Sequence, residues 1–109
     1  MLKNTHPGDV LKEEFLEPLG LSAYALASAL RVQRTAIGQI LAGKRSVTPL
    51  MALRLARFFG TTAQFWLNLQ AAYDLEEQQR AHLYALEEIQ PYEHPDGQEN
   101  EAIRELLSA

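Results

Sequence analysis

Six residues between positions 33 and 45 carry side chains that could read base pairs and grip phosphates: Gln33, Arg34, Thr35, Gln39, Lys44 and Arg45. Arg can bond guanine through two N–H groups, Gln can pair with adenine in the same way, and Thr can touch a thymine methyl. Lys44 and Arg45, side by side, are cations suited to phosphate oxygens, which position a protein on a duplex without carrying sequence information. The spacing makes these residues one surface. If Ile37, Ile40 and Leu41 point inward from a helix, Thr35 and Gln39 point most directly outward, Arg34 lies on the flank and Gln33 at the N-terminus. Gly38 and Ala42 add almost no bulk between them, so this face can approach another surface closely. Exposed Arg, Thr and Gln are also ordinary solvated residues, so the surrounding elements must decide.

Those elements lie in the stretch Leu21 to Arg45. Ala23, Leu26, Ala27 and Leu30 recur at the i, i+3, i+4, i+7 spacing of one helix face. Val32 follows, and Ile37, Ile40 and Leu41 repeat the pattern two or three residues later. Two short amphipathic helices joined by so tight a turn, and sharing one apolar seam, predict a helix-turn-helix. Ala27 sits mid-face, where a small side chain lets the second helix cross closely. Ser22 is the expected N-cap of the first helix; the same helix start could bind a phosphate, which makes Ser22 a candidate DNA contact as well. Gly43 is placed as the C′ residue that ends the second helix. Arg31 stands where the turn calls for a left-handed residue, which costs a non-glycine roughly 1–2 kcal/mol. Either the turn bears that strain or it is wider than usual.

The net charge of −4 argues against a nucleic-acid partner until it is divided along the chain. Residues 1–60 hold eight Lys/Arg and four Asp/Glu, a net of +4, whereas residues 61–109 hold two and ten, a net of −8. Such asymmetry predicts two surfaces with two partners, the basic one coinciding with the helix pair. A chain of 109 residues makes one small domain with room for a core. It has no cysteine, so disulfides and thiolate metal sites are ruled out. The start MLKNTHPGD lacks an apolar targeting region, and no run nears the ~18 apolar residues that span a bilayer. A soluble, cytoplasmic protein without a membrane partner is expected.

Taken in order, His6-Pro7-Gly8 opens the first helix, with Pro7 at a position whose missing N–H costs nothing and Asp9 favoured by the helix dipole. Val10, Leu11, Phe15 and Leu19 give its apolar side, and Pro18 with Gly20 ends it. Adjacent carboxylates such as Glu13-Glu14 and Glu87-Glu88 diverge by about 100° on a helix and read as solvated faces, not as a catalytic pair. Thr48 and Pro49 form a strong helix start; Ala52, Leu53, Ala56 and Phe59 make the inward stripe, and Arg54 and Arg57 lie outside it. Gly60 stops that helix, and Thr61 or Thr62 caps the next. Residues Ala63 to Tyr73 are apolar over more than one face: Phe65, Trp66, Leu69, Ala72 and Tyr73 form one stripe, with Leu67 and Ala71 off it. A helix needs only one stripe for its own core. The excess predicts a homodimer interface of Phe65, Trp66, Leu67, Leu69 and Tyr73, the alternative being a deeply buried central helix. Asp74 and Glu77 either open a further helix as a capping box or lie within a continuing one. Leu75, His82, Leu83, Leu86 and Ile89 give that segment a sparse apolar edge. Pro91 ends it, residues 91–97 read as a linker, and a last helix over about 99–107 carries only Ile103, Leu106 and Leu107. His6, His82 and His94 lack metal-ligand spacing, and no phosphate loop or nucleophile with a base appears, so no cofactor, metal or enzymatic activity is expected.

Three stretches, HPGDVLKEEFLEPLGLS, the helix pair and VTPLMALRLARFFGTTAQFWLNLQAAYDL, resemble the HigA-type antitoxins, also called virulence-associated-protein-I-like, of the lambda-repressor-like family. The similarity covers roughly His6 to Leu75. Its flanking signatures, HPG near the start and FWLNLQ after the fourth helix, are more specific than a helix-turn-helix alone. The resemblance implies a five-helix lambda-repressor-like DNA-binding domain over residues 1–75, including the dimerisation helix; residues 76–109 fall outside the shared pattern and read as an acidic helical C-terminal extension, so an all-α protein is expected. The resemblance further implies a dimer that binds double-stranded operator DNA at an inverted repeat and represses its own operon. It implies a HigB-type toxin partner, an RNase that cleaves mRNA on the ribosome, for which the acidic half is a plausible electrostatic complement. The rival readings are a stand-alone helix-turn-helix regulator without a toxin, and a protein-interaction module that has lost DNA binding.

Overall fold

The computed structural model describes residues 4–93 and 101–108. Every regular element among them is helical, in seven helices. The first, α1, runs without interruption through Pro7–Val10, a π-helical stretch Leu11–Leu16 and Glu17–Leu19. The others are α2 (Ala23–Leu30), α3 (Arg34–Leu41), α4 (Pro49–Phe59), α5 (Ala63–Ala81), α6 (Leu83–Glu87) and α7 (Glu101–Ser108). Asp74 and Glu77 lie inside α5, which continues across residue 75 and does not restart there. The predicted linker is described only as far as Glu93; its remainder, including His94, and positions 99 and 100 of the predicted last helix lie outside the described residues.

Side-chain caps set four of the starts, whereas α3 and α6 begin without one. Ser22, Thr48 and Thr62 each accept a backbone N–H from the residue three positions on, at 3.0, 3.3 and 3.1 Å. At α1 the cap is His6, whose Nδ1 accepts the Gly8 N–H at 2.9 Å. Three helices stop in the same way. A left-handed residue at Gly20, Arg31 or Gly43 turns the chain, and the next N–H (Leu21, Val32, Lys44) returns to the carbonyl five residues back at 2.9, 3.0 and 2.8 Å. These are Schellman motifs, with glycine favoured at the left-handed site.

Arg31 therefore occupies a glycine site at φ 59° and is the one non-glycine residue with positive φ among those described. The turn is the tight one, with the strain in place. Replacing Arg31 by Gly should stabilise the fold by about 1 kcal/mol, because relief of the left-handed cost outweighs the extra freedom of glycine in the unfolded chain. Thermal unfolding would register this as a rise of several degrees; an unchanged or lower midpoint would refute it.

The core is one cluster of Leu11, Leu16, Leu26, Ala27, Leu30, Ile37, Ile40, Val47, Met51, Ala52, Leu55 and Trp66. The helix-turn-helix seam and Ala27 lie where their spacing requires. Two predicted stripes are rotated. In α1, Leu16 is buried and Leu19 is 60% exposed. The π turn, in which the Glu17 N–H bonds the Lys12 carbonyl, shifts the inward face by one residue, so that Leu11 and Leu16, five apart, share it. Pro18 has no N–H to give to Glu14, which favours such a local widening. In α4, Met51, Ala52 and Leu55 are buried, whereas Leu53 is 59% exposed. Arg54 fixes this phase. Its guanidinium donates to the Leu30 carbonyl at 2.6 Å, satisfying a group left over at the end of α2.

Trp66 sits at the centre of an aromatic group, with the rings of Phe15 and Phe65 at 5.1 and 5.0 Å between centroids. Its indole N–H donates to Thr61 Oγ1 at 2.8 Å, so both ends of the largest side chain are satisfied. From Gln78 onward every described residue is exposed.

Candidate nucleic-acid interface

Helix α3 buries Ile37 and Ile40 completely. On a 3.6-residue helix Thr35 and Ala42 then point straight outward, Gly38 and Gln39 lie about 50° to either side, and Arg34 lies roughly 90° away. Thr35, Gly38, Ala42 and Arg34 are exposed, as is Gln33 at the N-cap, while Gln39 is half-buried at the edge of the face. The centre of the surface is thus nearly flat, with nothing within 4 Å of where a Gly38 methyl would stand. Lys44 and Arg45 leave the Schellman turn at the far end, both exposed. The seven positions expected to meet DNA fall into two groups. Gln33, Arg34, Thr35, Gln39, Lys44 and Arg45 belong to α3 and its exit. Ser22 belongs to the start of α2, where its oxygen already caps the Ala25 N–H; its hydroxyl proton is still free to donate.

Four residues absent from that set hold the surface in place. The first two are His6 and Gly8. The N-terminus of α1 abuts the end of α3 so closely that a methyl on Gly8 would stand 1.9 Å from the Ile40 carbonyl oxygen. The His6 ring lies against Gly43, with ring carbons 3.8 and 3.9 Å from where a Gly43 Cβ would be. Its other neighbour is the ring of Tyr73, edge-on at 4.8 Å. The third is Gln70, buried mid-helix in α5. Its Oε1 accepts the Val47 N–H at 2.8 Å and its amide donates to Asp74 Oδ1 at 2.9 Å. The loop carrying Lys44 and Arg45 is thereby tied to the longest helix. A polar residue inside the apolar stripe of FWLNLQ is the sequence signal for that tie, since a buried amide must find partners. The fourth is Tyr24, whose ring lies beneath the Arg34 guanidinium at 5.6 Å.

Burial pushes the His6 imidazole below its usual 6.5, against the opposing pull of the Asp9 and Asp74 carboxylates. The neutral ring is also the one that can accept from Gly8. Because the folded protein resists a proton that the unfolded chain takes up, this contribution is complete above pH 6.5. It is lost as pH falls through the lower folded value. Thermal midpoints compared at about pH 7.5 and 5.5 should drop in the wild type, and less in His6→Asn, which keeps a capping oxygen but does not titrate. Equal drops in both proteins would count against it.

The predicted dimer residues divide differently from the expectation. Trp66 is fully buried within the single chain and has no surface to offer a partner. Tyr73 is turned inward against His6, and its carbonyl accepts from the Asn4 side chain at 2.9 Å. Glu77 accepts a hydrogen bond from the Tyr73 hydroxyl, which raises the phenol above its ordinary range. Leu67 and Leu69 are half-buried, and Phe65 is exposed. The outward apolar side of α5 is instead Phe65, Ala72 and Leu75, with Leu69 at its edge. The reason is phase: Trp66 and Gln70, one turn apart, face the core, and the stripe one residue before them faces out. Among the described residues no group of three His, Asp or Glu side chains could hold a metal ion, and no helix is long and apolar enough to cross a membrane.

With this geometry in view, the comparisons with known proteins are specific. The helix-turn-helix family model matches residues 12–66. Virulence-associated protein I of Dichelobacter nodosus is 55% identical over 71 residues, which cover 65% of this chain and 66% of that one, just under two thirds of its length. An addiction module antidote protein of the HigA family from Coxiella burnetii superposes with a TM-score of 0.79 at 43% identity, over 84% of this chain and all of that one. The Pseudomonas aeruginosa antitoxin HigA, solved with the higBA promoter, gives 0.79 at 40% identity, over 82% and 98% of the two chains. The described fold is accordingly lambda-repressor-like. By these matches the chain belongs to the helix-turn-helix family, in its group of HigA-type, virulence-associated-protein-I-like antitoxins.

Proposed function

We propose that this chain is a dimeric, sequence-specific DNA-binding repressor, the antitoxin of a HigBA-type module, which binds the promoter of its own operon and neutralises a HigB-type toxin. The observation that carries the reading is the outer face of α3. Small residues occupy its centre, donors surround them, and two cations sit at its exit on a loop tied to α5. This is the division between base readers and phosphate anchors that a major-groove helix needs. Gln33, Arg34, Thr35 and Gln39 face bases, while Ser22, Lys44 and Arg45 face phosphates. The relative solved with the higBA promoter supports the same use of this fold.

The outward apolar side of α5 (Phe65, Leu69, Ala72 and Leu75) supplies the contact between two copies. A two-fold dimer would present its paired α3 helices about 34 Å apart, one turn of B-DNA, so the operator is an inverted repeat. The acidic segment beyond residue 75 faces the toxin, a basic partner by the nature of a ribosome-directed RNase. Truncation after Ala81, which leaves α5 whole, should then weaken co-purification with the toxin encoded beside this gene.

Gel shifts on the chain's own promoter test the DNA reading. Gln39→Ala should cost about 1–3 kcal/mol at the preferred site and relax one base position, whereas Lys44→Ala should weaken all sequences alike and lower the salt slope by about 1. No effect of either change would remove the assignment.

A further inference from the structure

Beyond the residues that would touch DNA, we infer that Tyr24 is a positioning residue for DNA recognition: its ring holds the Arg34 guanidinium in the orientation from which it reads a guanine. The inference rests on the DNA-binding reading above and adds a specificity device to it.

Arg34 is the first residue of α3, the position where the helix dipole disfavours a cation. Among the described residues no carboxylate pairs with it; the contact it makes there is with Tyr24, whose ring centroid lies 5.6 Å from the guanidinium carbon. Tyr24 is the second residue of α2 and is 64% exposed, so the core gives no reason for an aromatic there. A guanidinium lying on an aromatic face keeps its N–H edge free and loses several rotamers. That is the preorganisation a bidentate contact to guanine requires. The turn geometry makes the pairing possible. The Schellman stop at Arg31 ends α2 only three residues before Arg34 opens α3, and from there the long Arg34 side chain reaches the Tyr24 ring in the first turn of α2. In a complex the stack would be partly dried by the duplex, which strengthens it. The phenol itself need not touch DNA.

Fluorescence anisotropy with a duplex covering the promoter upstream of the chain's own gene, and with duplexes changed at each G·C pair in turn, tests the device. The variants are Tyr24→Phe, Tyr24→Leu, Arg34→Ala and Tyr24→Leu/Arg34→Ala. Tyr24→Phe should bind as the wild type does. Tyr24→Leu should bind roughly three- to tenfold more weakly and lose discrimination at one guanine, the same one that Arg34→Ala ceases to read. In the Arg34→Ala background, Tyr24→Leu should have no further effect. Three results would overturn the inference: Tyr24→Leu matching the wild type, additive losses in the double variant, or Tyr24→Phe falling as far as Tyr24→Leu, which would make the hydroxyl a direct DNA contact. A wild type with no promoter preference would instead overturn the DNA-binding reading, and this inference with it.

Discussion

Gly8→Ala should be among the most damaging single-methyl changes in this chain, lowering stability by about 3 kcal/mol or more and weakening promoter binding with it. Alanine is the better helix former by about 1 kcal/mol, so local propensity alone predicts a gain. The clash decides otherwise. The added methyl would stand 1.9 Å from the Ile40 carbonyl oxygen and 2.8 Å from its carbon, and both are backbone atoms that cannot rotate away. Relief requires moving the start of α1 or the end of α3, and the end of α3 carries Gln39, Lys44 and Arg45. Gly38→Ala is the internal control. It has open space around it, so its stability should rise by up to about 1 kcal/mol while DNA affinity falls, since a methyl now stands on the flat face. Thermal unfolding and promoter anisotropy on both variants would check this; a Gly8→Ala protein that melts with the wild type would contradict the described packing of α1 on α3.

Gln70→Leu should cost about 1–3 kcal/mol, although leucine fills a similar volume and is the more apolar residue. Burial of apolar surface favours the change. Against it, the Val47 N–H would lose its acceptor in a site where Val47 is 3% exposed, and an orphaned buried donor costs more than one methyl-sized gain. The loop from Gly43 to Val47 would lose its tie to α5, so the phosphate anchoring proposed for Lys44 and Arg45 should weaken for all sequences alike. Urea unfolding and the salt dependence of non-specific DNA binding measure the two parts. An unchanged unfolding midpoint would show that Val47 finds another partner.

Much of this protein was legible in its residue order, because the relevant signals are local. Helix starts at Ser22, Thr48 and Thr62, stops at Gly20, Gly43 and Gly60, and the seam of Leu26, Ala27, Leu30, Ile37 and Ile40 each depend on neighbours within a turn or two. So does the outward set Thr35, Gly38 and Ala42, which follows from which residues of α3 are apolar; Gln39, which the spacing places most directly outward, is instead half-buried at the edge of that face. Local patterning of inward residues failed at two places, one set by a distant group and one by an irregular helical turn. Leu53 was expected inward, but Arg54 reaches the end of α2 and turns α4 so that Met51 and Leu55 are buried. Leu19 was expected inward, but the π turn rotates the end of α1.

The order of residues alone thus determined that two short helices meet at a tight turn and that one of them offers a small, donor-rimmed face to the outside. Only the tertiary structure decided what holds that face still: Gly8 against Ile40, His6 against Gly43, Gln70 reaching Val47, and Tyr24 beneath Arg34. It also decided that Trp66 belongs to the core and Phe65 to the surface. The reason is separation along the chain. A cap or a helix face is settled by residues three or four apart, whereas Gln70 and Val47 are 23 residues apart, and no period in the sequence records which distant backbone group a buried amide will satisfy.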